Sequence, residues 1–178
     1  QSQLSQIVTG VTMAEAGEVV LKGCKVNHVT AADFIEKNVS HIPEDRNRMG
    51  LVGNMTVEEN LLLKSTQNCA FCDLNGWHLK KKPMRAYAEK MRAKYDIRCQ
   101  SMDQEIRSLS GGNQQKVILA RELEASPDLL VAVHPTRGLD IGATRYVRDN
   151  MIAARDAGCA VLLISADFDE VLQLSDRI

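Results

Sequence analysis

The sequence predicts an α/β fold, a parallel sheet covered by helices, and three observations carry that prediction. In the last third of the chain, short apolar runs at 129–133 and 160–164 alternate with stretches of helical period. A small Ser-Gly-Gly loop, within Leu109-Ser110-Gly111-Gly112-Asn113-Gln114-Gln115-Lys116, opens straight into one of those helical stretches. The middle of the chain, 56–94, reads as helical and sets an inserted helical segment against the strand-bearing parts.

Taken in order, residues 1–9 suit a short helix, followed by a turn at Ala16-Gly17 and an apolar run at 18–21 that reads as a strand. Thr56 and Glu59 have the spacing of a capping box, and Met84, Tyr87, Met91 and Tyr95 recur at three and four residues, as one face of a helix requires. Between them, 65–77 is a polar, cysteine-bearing loop. A helix is expected over 113–124, a strand over 129–133, a helix with Ala143, Val147, Met151 and Ala154 on one face, then a strand over 160–164. Asp167 and Glu170 are spaced to cap a last helix. In a sheet of this kind ligands sit at the C-terminal ends of the strands.

At 178 residues with a formal net charge of −1, the chain has the size of one domain and lacks the basic excess that nucleic acid demands. Its composition, 44% hydrophobic but only 4% aromatic, suits an aliphatic core, and no apolar run approaches the roughly 18 residues of a membrane span. Membrane association would have to come through a partner. Five cysteines, an odd number without a secretory signal, fit a reducing cytoplasm better than a disulfide framework. Gln1 is not an initiator Met and the chain stops at Ile178 as an apolar segment begins, so it reads as a fragment truncated at both ends.

The chemistry is concentrated in the Ser-Gly-Gly loop. Two glycines let backbone N–H groups approach an anion with no Cβ in the way, and the following helix directs its positive end at the same place. Asn113 and Gln114 add side-chain amide donors, which makes this a phosphate-binding helix start. The run LSGGNQQK resembles the signature motif of ABC-type ATPases, and the order of elements is similar to an ABC transporter nucleotide-binding domain over nearly the whole chain.

That resemblance implies a P-loop NTPase-like core (1–55 and 109–178, RecA-like) with a helical subdomain over about 56–108, and ATP with Mg²⁺ as ligands. Gln1 then falls at the phosphate-loop lysine and Ser2 at the metal-binding hydroxyl, with the loop glycines missing. Glu44, in Ile42-Pro43-Glu44-Asp45-Arg46, takes the place of the Q-loop glutamine; Asp45 and Arg46 beside it read as a solvated charged turn. The ATP-facing set is therefore Ser110, Gly111, Gly112, Asn113, Gln114, Gln1, Ser2 and Glu44. Gly138, Leu139 and Asp140 match the D-loop at the dimer interface.

Where the family carries an Asp-Glu pair before its Pro-Thr segment, this chain has Val133-His134, and Ala166 replaces the switch histidine. Valine cannot ligate a hard cation, and imidazole is a weak substitute for a carboxylate base. His134 is either a hydrogen-bonding partner of phosphate or of the facing subunit, or a strand-end histidine satisfied by nearby backbone. The pocket looks catalytically retired, while the signature loop is intact. The combination resembles the second, degenerate ATPase domain of tandem sugar and nucleoside importer subunits. It implies a first nucleotide-binding domain on the same polypeptide, permease subunits, indirectly a periplasmic or lipoprotein binding protein, no nucleic acid, and a peripheral place on the cytoplasmic face of the membrane. An ABC protein acting on ribosomes or DNA is the alternative within the family, and a purely structural or regulatory degenerate domain is another. Outside it stands a zinc module: Cys69 and Cys72 have ligand spacing, with His78 and Cys99 as further ligands, against a free-thiol loop.

Overall fold

The computed structural model describes residues 2–26, 30–65, 70–72 and 78–178. Helix α1 (Ser2–Ile7) comes first, and the run read as a strand at 18–21 supplies only β1 (Val20–Leu21), paired antiparallel with β2 (Cys24–Lys25). Lys22 and Gly23, both at positive φ (50° and 77°), make the tight two-residue turn between them. Helix α2 (Ala31–Glu36) starts with a full capping box between Thr30 and Asp33, and β3 (Val39–Ile42) follows.

A π-turn at Arg46–Gly50 leads to α3 (Val57–Leu62), whose Thr56–Glu59 capping box forms as its spacing predicts. Helix α4 (Lys81–Lys94) buries Met84, Ala88 and Met91; of the face read from the periodicity, Met84, Met91 and the C-cap residue Tyr95 are buried and Tyr87 is half-buried. Backbone bonds from Val57 N to Gln104 O and from Ile106 N to Met55 O hold the entry and exit of this helical segment side by side. After a 3₁₀ turn at Ile106–Ser108, α5 (Gly111–Leu123), β4 (Leu129–Val133), α6 (Ile141–Asp156), β5 (Ala160–Ile164) and α7 (Phe168–Leu174) alternate as expected. Helix α5 begins two residues before the predicted start, because Ser110 rather than a later residue caps it.

The three main strands lie in the order β3-β4-β5, all parallel. Central β4 is buried on both faces, which is why it reads as the unbroken apolar run LLVAV. Leu130 and Ala132 pack into the main core with Ile118, Leu119, Met91 and Ile106, whereas Val131 and Val133 join Val39, Phe34 and Ile164 on the other side. Among the described residues no helix is long and apolar enough to cross a membrane.

Candidate functional site

Parallel register places the C-terminal ends of all three strands on one edge: Ile42 lies opposite Ala132, and Val133 opposite Ile164. The segments that follow, 43–50, 134–140 and 165–167, therefore emerge together. Helix α5 packs against β3 and α6, and its C-terminus returns the chain to the start of β4, so its N-terminal loop reaches that same edge. This is where an open α/β sheet binds ligands.

The Ser-Gly-Gly loop is built mostly by bonds that face inward. Ser110 caps α5, its Oγ accepting from the Asn113 side-chain amide at 3.1 Å and, at 3.5 Å, from the Asn113 backbone. Asn113 Oδ1 in turn accepts from Arg98 N at 2.8 Å. Gln114, read from the sequence as a donor to phosphate, is buried and donates from Nε2 to the Ile106 carbonyl at 3.2 Å. Its amide is thus spent holding the helix start to the 3₁₀ turn. What faces outward is the exposed Ser110 hydroxyl, free to donate its proton, and the first-turn N–H groups at Gly111 and Gly112. Gly112 has a second reason to lack a side chain, since a Cβ there would stand 3.1 Å from Ala143 Cβ and 3.7 Å from Asp140 Oδ2.

The acidic-basic turn after β3 is at the surface, with Asp45 exposed, yet its side chains are engaged by specific bonds. Asp45 Oδ1 accepts from Asn47 N and Arg48 N at 3.0 and 3.1 Å and so caps the π-turn, while Glu44 Oε1 pairs with Arg137 Nη1 at 2.8 Å. Arg46 reaches farther: its Nη1 donates to the Arg137 carbonyl at 3.0 Å, and its Nη2 would lie 2.7 Å from a Cβ on Gly111. Sequence reasoning missed this side chain. A long cation in a charged turn carries no signal for a contact made 65 residues farther along the chain, at Gly111.

Strand β4 ends in Val133, 1% exposed in the smaller core cluster, with no donor to offer a cation. His134 follows at φ 47°, a left-handed conformation costly for a residue with a Cβ. Its backbone bonds the Ile164 carbonyl at 2.7 Å, and its Nδ1 accepts from Ala166 N at 3.2 Å. The second of the two roles open to it is therefore present: a neighbouring backbone group satisfies Nδ1, leaving the ring proton on Nε2. His134 and Ala166, 32 residues apart, come together, and with Thr136, Gly138, Asp167 and Glu170 they line a cleft of about 580 Å³. At its base, Thr136 Oγ1 donates to Glu170 Oε1 at 2.8 Å, and Arg148 stands 3.6 Å from the same oxygen. Glu170 thus gives one carboxylate oxygen to the 134–140 segment, while Asp167 alone caps α7.

In the third segment, Asp140 Oδ1 accepts from Ala143 N at 2.8 Å and caps α6, and Leu139 packs partly into the main core. Gly138, at φ 68°, and Ile141, which is 91% exposed, present the outward face there. Gln1 and the side chain of Ser2 lie outside the described residues, as does Cys69. Cys72 is buried, Cys99 Sγ rests 4.0 Å from Met102 Sδ, and among the described residues no group of three or more His, Cys, Asp or Glu is placed for a metal ion.

A family model described as "ABC transporter" matches residues 1–137. The chain is 42% identical over 178 residues to a guanosine import ATP-binding protein, NupO of Bacillus subtilis (strain 168), covering all of this chain and 34% of that protein. It is 39% identical over 180 residues to a glucose import ATP-binding protein, TsgD13 of Haloferax volcanii, covering all of this chain and 32% of that protein. The chain thus spans about a third of the length of these relatives. Among solved structures, a nucleotide-free ATP-binding cassette from an ABC transporter superposes with a TM-score of 0.76 at 22% identity, over 98% of this chain and 69% of that one. With three loop segments converging on a Ser-Gly-Gly helix start at the sheet's C-terminal edge, these matches settle the family: the chain belongs to the ATP-binding domains of ABC transporters.

Proposed function

We propose that this chain is part of the ATP-binding component of an importer for nucleosides or simple sugars, and that it serves a nucleotide held by a partner domain rather than hydrolysing its own. The observation that carries the reading is a contrast between two neighbouring structures. The Ser110-Gly111-Gly112 loop is capped, braced from behind and open in front. The adjoining pocket has a buried valine where a metal-binding carboxylate is needed, a histidine already engaged by backbone, and a methyl group at Ala166.

The division of labour follows from the residues. Ser110 offers a hydroxyl proton and Gly111 and Gly112 offer N–H groups, so a terminal phosphate carried by a facing domain would meet donors from a helix start. Asn113 and Gln114 do not touch that phosphate in this scheme; they hold the loop's shape, one to Arg98 and Ser110, the other to Ile106. Gly138 and Ile141 lie on the surface the facing domain would cover. Mg²⁺ and the attacking water belong to the partner's pocket, since Val133 and His134 supply no carboxylate for either. Should this chain's own pocket also hold nucleotide, Ser2 is the hydroxyl proposed for its metal. The facing domain is proposed to lie on the same polypeptide, with permease subunits docked on the pair and a binding protein delivering the substrate. The assembly would sit on the cytoplasmic side of the membrane.

Steady-state ATPase of the full-length protein assembled with its permease tests the reading. Ser110→Ala should depress turnover and His134→Ala should spare it. The reverse order would show that the active pocket is on this chain.

A further inference from the structure

We propose that Arg46 is a positioning residue that locks the signature loop to the 134–140 loop, so that both meet the facing domain as one surface. The inference deepens the function just proposed and rests on it for its catalytic consequence. Its structural part stands alone. One guanidinium bridges three chain segments: it is carried by the π-turn after β3, donates from Nη1 to the Arg137 carbonyl at 3.0 Å, and fills with Nη2 the space where a Gly111 side chain would lie. Gly138 is also within reach, since a Cβ there would be 3.9 Å from the same Nη2.

Neighbouring contacts close the clasp from both sides. Glu44, two residues before Arg46, pairs with the Arg137 guanidinium at 2.8 Å, and Gln115 donates from α5 to the Pro135 carbonyl at 2.9 Å. Arg137 is thus held by its carbonyl and by its side chain, both from the same turn. A planar fork with donors on two edges suits this task. Lysine, a point charge on a flexible stem, cannot engage both loops at once. Gly111 takes on a role beyond access to an anion: it is the gap into which the guanidinium fits.

Amide hydrogen exchange in the full-length protein tests the clasp without reference to activity. The reporters are the amides of Arg137 and Leu139, which bond His134 O and Thr136 O inside the loop. Arg46→Ala should speed their exchange on the order of tenfold, while core amides in β4 stay unchanged. Gly111→Ala, which pushes against Nη2 from the opposite side, should do the same; in an Arg46→Ala background it should add nothing, because the space is then empty. Additive effects, or unchanged exchange in Arg46→Ala, would overturn the proposal. In the assembled transporter, Arg46→Ala and Arg46→Lys should both lower kcat about tenfold with KM for ATP within about twofold, since a mispositioned loop acts on turnover while the facing pocket holds the nucleotide. Full activity in Arg46→Lys would mean that charge alone matters and would also overturn it. Ser110→Ala in the same assembly keeps the two ideas apart: normal turnover there refutes the shared-site reading, and the exchange result then decides the clasp alone.

Discussion

Replacing Gly112 by Asp separates the anion-binding role of the signature loop from its role in the fold. In the chain by itself the new carboxylate costs little. It sits in the first turn of α5, where an acidic group gains about 0.3–1 kcal/mol from the helix dipole. Against that gain stand a Cβ 3.1 Å from Ala143 Cβ and a like charge close to Asp140, whose Oδ2 is 3.7 Å from that Cβ. Together these cost about 1–2 kcal/mol, a shift of a few degrees in melting temperature. The facing nucleotide would meet something different. A carboxylate about 4 Å from a phosphate oxygen costs about 4 kcal/mol at an effective dielectric constant of 20, or about three orders of magnitude in turnover. Gly112→Ala keeps the steric term and drops the charge, so it should lose less than about tenfold. The assay is steady-state ATPase of the assembled protein, with thermal unfolding run on the same samples. If Gly112→Asp turns over within threefold of wild type, or if Gly112→Ala is equally damaged, the loop does not face a phosphate.

Ser110→Ala removes the cap of α5 and an outward donor together; about 1 kcal/mol of stability and at least tenfold in turnover should be lost, read by denaturant titration and ATPase. His134→Ala should leave turnover within about twofold, because Nδ1 is engaged with Ala166 and neither residue 133 nor residue 134 offers a carboxylate. Val133→Asp with His134→Glu should not restore hydrolysis to the isolated chain, and it should destabilise the fold by several kcal/mol, since it buries a carboxylate beside Val39 and Ile164. His41 supplies the pH dependence: burial pushes its pKa down to about 4 from an unfolded value near 6.5. The native state therefore stays neutral where the unfolded state takes up a proton. Its contribution, up to about 3 kcal/mol, is full above pH 6.5 and falls away as the pH drops toward 4. His41→Gln should flatten that limb of the stability curve in urea titrations from pH 7 to 4, and an unchanged slope would remove His41 as its source.

What the sequence made legible was what local pattern determines. Strands 129–133 and 160–164 appear as read, because β4 is buried on both faces and needs no alternation to be recognised. Strand β3 left no such trace. Its four residues include Ser40 and His41, and both are stabilised from α5: Ser40 Oγ donates to the Glu122 carbonyl at 2.7 Å and His41 N to Glu122 Oε2 at 3.0 Å. Glu122 is buried, with its pKa held low against the cost of burial by Lys64 and Arg121. A polar strand with its partner 80 residues away has no local signature. The same limit governed the site. Ser110, Gly111 and Gly112 could be read from their own neighbourhood, whereas the inward turn of Gln114 and the reach of Arg46 depend on what packs beside them.

The geometry at His134 gives the backbone of this residue a task that does not depend on its side chain. Holding a histidine at φ 47° costs about 1–2 kcal/mol that glycine would not incur, yet the chain adopts the conformation here. Its backbone explains the retention. The His134 N–H closes onto Ile164 and its carbonyl accepts from Arg137 N at 3.1 Å, so this one residue turns the chain out of β4 and begins the loop that carries Gly138 and leads to Ile141. Arg137 is also where Arg46 and Glu44 attach, and the adjoining Pro135 carbonyl receives Gln115 from the signature helix. A change that relaxed His134 would shift the anchor of the signature loop. The backbone carries the constraint here more than the side chain does: on the function proposed above, the benefit of this strain would be read out at the nucleotide of the facing domain.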